Sequence, residues 1–546
     1  MINWRANIVF TLIFFFGLGI VTRLFFIQVQ QADFFKALAQ GLYSLEGSVW
    51  QERGEIFFQG GEPLAINMER PLVFASPQEV EDKEETAEVL ASILSLDKDF
   101  LLAKLQKENL YNLYEPLKKK LTEEEIEKIN NLKIKGIYLG KEKGRYYPQE
   151  TMASQLVGFL DAEQKGQYGL EYEYDDVLQG RGQDSGDDLI LTLDYSIQFK
   201  AEELLEEAKE SLDIEGGSII VLEPDSGKIL ALANFPNFNP NSYSKIEDFD
   251  IFQNSLTQKI FEPGSVFKPI TMAAAINEEA VTPQTTYQDP GKLVIGGWPI
   301  YNYEQRVYPG DITMTEVLEK SINTGAVFAE RQLGNNLFYS YIEKFGIFES
   351  TGIDLQETIP VNKEFHEGWE QGREINFATA AYGQGIEMTP IQLIKAYSTI
   401  ANGGKITTPY LVEKIVSADE VKEIKPESYS NPLISSKTAS QLTAMLISVV
   451  ENGFAKSAQI PGYYVAGKTG TAQIAFSALD IPKEGYSDQT WQTFVGFAPA
   501  FNPKFLILVK LDNPETKTAE YSAVPLFHDL AKYIIDYYQI APDFNE

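Results

Sequence analysis

Three short motifs bring a serine, a lysine and an amide together in an order that suits acyl transfer. They are SxxK at Ser265–Lys268, SxN at Ser321–Asn323 and KTG at Lys468–Gly470. SxxK also occurs at Ser95 and Ser242, whereas SxN and KTG each occur once. At average residue usage, a chain of this length yields about two SxxK but only roughly 0.1 KTG by chance. The ordered triple therefore indicates a site, and we interpret Ser95 and Ser242 as structural serines of the kind that cap helices.

The first motif has the sequence of a helix start. Ser265 follows the turn residues Glu262-Pro263-Gly264, and Pro269 lies four residues beyond it. A proline is tolerated in a helix only near its first turn, where N–H groups lack partners anyway. The sequence thus predicts Ser265 in the first turn of a helix over 266–278, with Lys268 on the same face. Such a position favours the negative charge that develops when a serine attacks a carbonyl.

The other motifs supply what a serine–lysine pair needs. A protonated lysine is no base, so Lys268 requires a pKa lowered by burial or by a second cation. Lys468 is a candidate for that cation and for binding a substrate carboxylate. Ser321 is suited to relay a proton, and Asn323 is suited to hold an amide.

The KTG segment is predicted to be a strand that accompanies a peptide. We expect Gly467 and Gly470 to leave room for a substrate along its edge. The backbone N–H groups of Ser265 and Thr471 are candidate donors to an oxyanion.

Other chemistries have little support in this composition. The only histidines are His366 and His528, which disfavours a Ser–His–Asp triad, and no histidine pair has zinc-site spacing. There is no cysteine and no phosphate-binding glycine loop. A net charge of −32 argues against nucleic acid as a partner. We therefore predict no cofactor and no metal.

The amino terminus has the pattern of a membrane anchor. Residues 6–22 carry no charge and are flanked by Arg5 and Arg23. The pattern predicts an uncleaved transmembrane helix within residues 1–27, with a short cytoplasmic tail and the catalytic part outside the membrane. A cleaved signal peptide is the alternative, because Ala37-Leu38-Ala39 has the small-x-small form.

At 546 residues the chain is long enough for two or three domains. A helix is predicted over 32–45 and further helices between Pro77 and Leu132. The Gly-rich segment 180–186 is the clearest boundary. We therefore divide the chain into an anchor over 1–27, a pedestal over 28–186 and a catalytic domain over 187–546.

The last of these regions is predicted to be an α/β (α+β) domain. Residues 217–221 and 228–233 form a strand–turn–strand pattern around Pro224-Asp225-Ser226-Gly227. The segments 465–472, 493–497 and 505–511 predict further strands of one antiparallel sheet. Helical patterns fill most of the interval between Val266 and Val450, so helices flank the sheet.

With these residues in view, the chain resembles the class B penicillin-binding proteins, which are monofunctional peptidoglycan D,D-transpeptidases. The likeness extends over nearly the whole length. It rests on the three motifs and on the segments Arg53-Gly54-Glu55-Ile56, Gly144-Arg145-Tyr146-Tyr147-Pro148, Gly169-Leu170-Glu171, Phe261-Glu262-Pro263-Gly264, Tyr382-Gly383-Gln384-Gly385, Ala401-Asn402-Gly403-Gly404 and Phe494-Val495-Gly496-Phe497-Ala498-Pro499.

The resemblance implies a role for each motif. Ser265 would attack the penultimate D-Ala of a peptidoglycan stem peptide, with Lys268 as general base and Ser321 as proton shuttle. Asn323 would bind the donor amide. Lys468 and Thr469, within the segment that includes Gly470 and Thr471, would bind the terminal carboxylate. β-Lactams would acylate Ser265 as donor mimics.

The resemblance also implies an elongated α+β pedestal and a membrane partner, a multi-span glycosyltransferase with divisome or elongation proteins. The sequence around Ser265 and Lys468 is more similar to the division branch than to the elongation branch, which remains the alternative. A β-lactam sensor or hydrolase on the same fold, and a scaffold with a vestigial site, are the other hypotheses. A hydrolase would need an additional base, which the sequence does not identify.

Overall fold

A computed structural model describes residues 4–26, 28, 52–107, 114–180, 185–366, 374–426 and 431–544. Its contacts divide into two compact units, Met1–Glu52 with Asn67–Tyr146, and Arg53–Ile66 with Tyr147–Glu546. The helix predicted over 32–45 and most of the Gly-rich boundary lie outside the described residues. The division into pedestal and catalytic domain at residue 186 stays a prediction.

The first unit contains small helices that begin at acidic or hydroxyl caps. The caps are Asp82, Asp97 and Thr122, and each side chain accepts a hydrogen bond from an N–H of the first turn. The helices and strands of this part of the chain are Lys83–Leu94, Lys98–Leu105, Glu115–Lys119, Glu123–Leu132 and Ile137–Tyr146, with the end of the long strand Pro63–Ala75. Buried leucines join the helices to the sheet. The helices predicted between Pro77 and Leu132 are confirmed, with one strand among them.

The segment predicted to be an anchor is a helix, Trp4–Phe25, whose side chains from Thr11 to Phe26 are largely exposed. Nowhere in the described chain does a helix reach the combination of length and hydropathy that crossing a membrane requires.

A five-stranded antiparallel sheet forms the centre of the second unit. Its order is Ala466–Ala475, Tyr486–Ala498, Phe505–Asp512, Gly216–Leu222 and Ile229–Phe235. The last strands of the chain thus pair beside the first hairpin, and the KTG strand lies at the edge. The strand Gly216–Leu222, with the β-branched residues Ile219, Ile220 and Val221, is buried on both faces, which requires helices on each side. The predicted antiparallel sheet is confirmed.

Helices of this unit cover the sheet. Tyr195–Leu212 packs against Ala523–Tyr538, and Pro390–Ala401 packs against Ser436–Asn452. The other α-helices described in this unit are Ser154–Val157, Gly169–Glu173, Asp175–Gln179, Ser255–Gln258, Lys268–Asn277, Met314–Glu319, Asn323–Leu333, Asn335–Lys344, Lys363–His366 and Glu374–Ala380. The α+β class predicted for this region is confirmed.

Further strand pairs lie in the same unit. Asp188–Leu191 pairs in parallel with Ile56–Phe57 and antiparallel with Val412–Val416, which continues to Val421–Glu423. Three short hairpin-like pairs were not predicted from the sequence. They are Phe159–Leu160 with Gly166–Gln167, Thr286–Gln288 with Asp311–Thr313, and Lys292–Ile295 with Trp298–Tyr301.

A buried ion cluster joins distant parts of this unit. The Arg53 guanidinium donates to Glu171 Oε2 at 2.8 Å and to Asp175 Oδ1 at 2.8 Å. Tyr147 donates its hydroxyl to the other oxygen of Glu171 at 3.2 Å. Burial works to lower the pKa of Arg53, but the carboxylates outweigh it and the pKa is raised. Glu171, whose side chain is fully buried, is thereby compensated.

Candidate active site

The predicted nucleophile lies in a tight turn that leads into a helix. Ser265 occupies the 3₁₀ turn Gly264–Phe267, and the α-helix Lys268–Asn277 follows directly. Gly264 has φ 61°, a conformation that glycine adopts without steric penalty. The buried Tyr397 hydroxyl donates to the carbonyl of Val266 at 2.6 Å. The turn is therefore fixed on its buried side while Ser265 stays half-exposed.

Lys268 is fully buried and has four oxygen neighbours. Its Nζ lies 2.9 Å from Ser265 Oγ, 2.6 Å from the Ser321 carbonyl, 2.8 Å from Asn323 Oδ1 and 3.2 Å from Ser321 Oγ. The structure thus brings the first two motifs into direct contact through one amine.

These contacts fix the direction of the Ser265 hydrogen bond when the amine is neutral. The Ser321 carbonyl and Asn323 Oδ1 have no proton to give, so each takes one of the two N–H groups of the amine. The remaining lone pair is left for a hydroxyl donor, and the nearer hydroxyl is that of Ser265. A neutral Lys268 is thus placed to accept the Ser265 proton.

Ser321 lies between the two lysines of the motifs. Its Oγ lies 3.2 Å from Lys268 Nζ and accepts from Lys468 Nζ at 3.1 Å. Its backbone has φ 53°, a left-handed conformation that costs a non-glycine residue about 1 kcal/mol. That conformation aims both its carbonyl and its hydroxyl at Lys268, and the hydroxyl can pass protons between the two amines.

Both lysines are held in a state that disfavours charge. Burial lowers the pKa of Lys268 well below its usual value, and the neighbouring Lys468 charge lowers it further. Burial also lowers the pKa of Lys468, to about 7. The sequence analysis offered Lys468 as a candidate for a second cation near Lys268, and Lys468 lies in that position.

The KTG strand passes directly over the nucleophile turn. A Cβ on Gly470 would lie 3.0 Å from the Pro263 carbonyl oxygen, and a Cβ on Gly467 would lie 2.4 Å from the Phe494 ring. Both glycines therefore permit close internal packing. The expectation that they leave room for a substrate along the strand edge stays a prediction.

The remaining residues of the motif lie on the same edge strand. Thr469 is nearly buried, and its carbonyl and hydroxyl accept from Lys468 Nζ at 3.0 and 3.4 Å. Thr471 is half-buried, and its hydroxyl accepts the N–H of Ala519 at 3.2 Å. The contact of Gly470 with the turn brings Thr471 beside the Ser265 segment. The oxyanion role of the Ser265 and Thr471 N–H groups stays a prediction.

Asn323 makes a contact that the sequence did not reveal. Its Nδ2 donates to the Tyr301 carbonyl at 2.9 Å, while its Oδ1 accepts from Lys268. Gly296-Gly297 between two apolar runs is a hairpin signal that would have placed a strand over Trp298–Tyr301. The hydroxyl of Tyr397, in a fully buried helix, gave no such signal.

The two other SxxK sequences lie outside this site. Ser95 ends a helix with φ 54°, and Lys98 pairs with the exposed Glu88. Ser242 lies in a kinked 3₁₀ segment. His528 contacts its neighbour Asp529 and takes no part in the serine–lysine cluster.

Comparison with known proteins matches both parts of the chain to families. The penicillin binding protein transpeptidase domain matches residues 217–532, and the penicillin-binding protein dimerisation domain matches residues 49–185. The chain belongs to the class B penicillin-binding proteins.

Curated relatives of this penicillin-binding protein align over most of their length. Stage V sporulation protein D of Bacillus subtilis is 31% identical over an alignment of 546 positions, which covers 94% of this chain and 82% of the relative. The probable peptidoglycan D,D-transpeptidase PbpC of Pseudomonas aeruginosa is 30% identical, with 99% and 96% covered. Each alignment therefore extends through both matched regions of this chain.

Solved structures agree with the fold. Penicillin binding protein 3 of Mycobacterium tuberculosis, complexed with ampicillin, superposes with a TM-score of 0.71 at 27% identity, covering 91% of this chain and 97% of that structure. The aztreonam complex of the same protein gives a TM-score of 0.70, also at 27% identity, covering 90% and 98%.

One carboxyl of this penicillin-binding protein lies close to the nucleophile in sequence and was not singled out as a site residue. Glu262 accepts from the Tyr486 hydroxyl at 2.9 and 3.1 Å and from the N–H of Gly385. Burial raises the pKa of Glu262 to about 7, with a smaller contribution from Glu387. Glu262 therefore takes up and releases its proton near neutral pH.

Proposed function

We propose that this chain is a peptidoglycan D,D-transpeptidase that cross-links stem peptides in septal wall synthesis and is inhibited by β-lactams. The observation that carries the proposal is the position of Lys268 Nζ, 2.9 Å from Ser265 Oγ, in a buried site that lowers the pKa of this lysine and favours the neutral amine. A serine with this partner forms an acyl-serine ester and needs neither metal nor histidine. The family and the activities of its relatives agree with this chemistry.

The first half-reaction follows from the contacts. Ser265 Oγ attacks the penultimate D-Ala carbonyl as its proton passes to Lys268 Nζ. Collapse of the tetrahedral intermediate forms the ester and breaks the bond to the terminal D-Ala. The proton on Lys268 reaches the departing amine through the Ser321 hydroxyl, which lies 3.2 Å from Lys268 Nζ. In the second half-reaction, the amine of a neighbouring stem attacks the ester and frees Ser265.

The binding roles belong to the flanking motifs. Lys468 and Thr469 bind the terminal carboxylate of the donor, and Asn323 holds the donor amide with its second N–H. The N–H groups of Ser265 and Thr471 stabilise the oxyanion. Gly470 contributes by its close approach to the turn.

A fluorescent penicillin tests the acyl-serine chemistry. The full-length protein in detergent is labelled as wild type and as Ser265→Ala, and intact mass is followed for hours. We expect a persistent adduct on wild type and none on the variant. An adduct that disappears in seconds would establish a hydrolase instead, and a lack of any adduct would favour the scaffold hypothesis. A persistent adduct without cross-linking of purified glycan strands would identify a sensor.

The site of action in the cell is part of the proposal. Residues 1–27 act as a single-pass anchor with the amino terminus in the cytoplasm, and residues 28–186 hold the domain over 187–546 above the membrane. The support is the uncharged segment 6–22 between Arg5 and Arg23. A multi-span glycosyltransferase and divisome proteins are the proposed partners.

Alkaline extraction of membranes tests the anchor. We expect the full-length chain to stay in the membrane pellet at high pH, and a Phe15→Asp/Leu18→Asp variant to be released, because a charge inside the bilayer costs about 3 kcal/mol. The distal variant Phe501→Asp, at an exposed position of the second unit, is the control. Release of the wild-type chain would contradict the anchor and leave the chemistry untouched.

A further inference from the structure

The Asn323 side chain is held by a hairpin that ends at Tyr301. The hairpin pairs Lys292–Ile295 with Trp298–Tyr301, and its last carbonyl accepts the Asn323 Nδ2 proton at 2.9 Å. Since Asn323 Oδ1 accepts from Lys268, any rotation of this amide breaks a contact at one end or the other. The position of Tyr301 therefore determines how Asn323 faces Lys268.

One carboxylate ties this hairpin to the SxN segment. Asp289 accepts the Thr324 hydroxyl at 2.7 Å and the Asn302 side-chain amide at 2.9 Å. It also accepts the N–H groups of Gly291 at 3.0 Å and Tyr308 at 2.8 Å. Burial works against its charge, but the hydrogen bonds, with that of Thr324 foremost, outweigh it and lower the pKa of Asp289.

A second link closes the network. Asn302 Oδ1 accepts from the Thr324 backbone N–H at 3.1 Å and lies 3.2 Å from the Thr324 hydroxyl. Asn302 follows Tyr301 in the chain and Thr324 follows Asn323, so the network binds the immediate neighbours of both partners. Thr324 and Asn302 are themselves almost fully buried. Such a connected and fully partnered set of buried polar groups specifies one arrangement of the backbone.

We propose that Asp289, Asn302 and Thr324 are positioning residues for acylation, which hold the Tyr301 carbonyl and thereby keep Asn323 Oδ1 on Lys268. This inference rests on the proposed function. The described hydrogen bonds of Ser265 and Lys268 include none to these three residues, so they act through Asn323. Their loss loosens the amide, leaves Lys268 with a less fixed acceptor, and turns its lone pair away from Ser265 for part of the time.

Thr324→Val tests the proposal, because valine keeps the shape and removes the hydroxyl. We measure the first-order acylation constant and the dissociation constant for a chromogenic β-lactam separately, by stopped flow on the full-length protein. The acylation constant should fall about tenfold. The dissociation constant should change less than twofold, and Thr324→Ser should restore acylation to within about twofold of wild type.

A matched control separates positioning from stability. Thr351 is also a buried threonine, and its hydroxyl donates to Glu357 at 2.8 Å away from the site. Thr351→Val should lower the melting temperature comparably and leave the acylation constant unchanged. If Thr324→Val acylates like wild type, or if both valine variants lose acylation in proportion to their melting temperatures, the proposal is overturned.

The remaining outcomes are also decisive. Should Thr324→Val fail to fold, Asn302→Ser gives the same test, since it removes the amide that joins Asp289 to the hairpin. Its normal acylation would overturn the inference and its slow acylation would support it. If the wild-type protein is not acylated by the β-lactam, the proposed function fails. If the wild-type protein is acylated and Thr324→Val is acylated at the same rate, the proposed function stands and the positioning role alone is refuted.

Discussion

Two clusters in the second unit bury cations and balance the charge in opposite ways. Arg53 is surrounded by Glu171 and Asp175, and its pKa is raised. Lys268 and Lys468 are buried together, among neutral oxygens, and the pKa of each is lowered. The first arrangement keeps a charge in place and stabilises the fold. Among the described residues, the lysine arrangement lacks such a counter-charge, and the neutral amine of Lys268 is therefore able to accept a proton.

The difference explains why the active site is destabilising in itself. Burying a charge costs several kcal/mol unless an opposite charge repays it. The interactions that shift Lys268 and Lys468 in the described part of the chain include no carboxylate. A carboxylate there would keep Lys268 protonated and remove its function as a base. The comparison therefore predicts opposite responses when each cluster is altered.

The largest expected effect is the loss of the base. Lys268→Ala should lower the rate of β-lactam acylation about 10³-fold, because the Ser265 proton then has no acceptor. Stopped-flow acylation of the folded variant is the measurement. The control is Lys395→Met, which removes another buried lysine whose pKa burial lowers and whose Nζ donates to the Thr351 carbonyl. Equal acylation by Lys268→Ala and wild type would refute the base assignment.

The next effect falls on stability. Glu171→Ala should destabilise the second unit by about 3 kcal/mol, since it removes a buried carboxylate that lies 2.7 Å from the Arg53 guanidinium. Denaturant unfolding gives the change, and acylation by the folded fraction should be normal. Glu413→Ala, which breaks the partly exposed pair with Lys228, should cost below about 1 kcal/mol. Similar losses in the two variants would mean that the Arg53 cluster contributes no more than a surface pair.

Lys468→Met should act in the other direction. Its pKa is about 7 in the folded chain and 10.5 as an ordinary lysine, so the unfolded chain binds more protons between these values and wild-type stability rises with pH there. Removing the lysine should therefore stabilise the fold by about 1–3 kcal/mol at pH 7, with the gain vanishing towards pH 10.5. Acylation should weaken, because the pKa of Lys268 rises without its neighbour.

Melting curves over this pH range provide the measurement. Lys510→Met is the matched control, since Lys510 is also nearly buried in the same sheet but is paired with Asp512. Lys510→Met should give no gain in stability at pH 7, because it removes the cation that pairs with Asp512. A destabilised Lys468→Met at pH 7 would show that the lysine is held charged and compensated, as Arg53 is.

The sequence predicted the reactive residues of this site better than the residues that hold them in position. Ser265 and Lys268 are three residues apart, so their contact follows from helical geometry alone. The meeting of Lys268 with Lys468 required the order of motifs, which is a pattern over the whole chain. The Tyr301 carbonyl and the Tyr397 hydroxyl could not be predicted, because they depend on which loop packs on which helix.

The same reasoning applies to the fold. The strands of the central sheet were predicted because β-branched runs and turn residues mark them locally. The pairs between Thr286 and Thr313 were missed, since their strands are only three or four residues long and partly polar. Short strands gain their stability from the surface beneath them and leave little pattern in the sequence.

The smallest effect concerns Glu262, a carboxyl whose pKa no cation in the described part of the chain shifts. The pKa of Glu262 is about 7 when folded against 4.5 ordinarily, so the folded chain keeps this proton in a range where the unfolded chain has lost it. Wild-type stability must then fall as pH rises from 4.5 to 7. Glu262→Gln imitates the protonated form and should be about 1 kcal/mol more stable than wild type above pH 7, with no difference near pH 4.5.

The control is Glu413→Gln, at the carboxylate paired with Lys228, which should give no such gain in stability. If the melting temperatures of Glu262→Gln and wild type change with pH in parallel, the charge of Glu262 is compensated in the fold, as that of Arg53 is. Lys268 and Lys468 would then be the groups that still show the opposite behaviour.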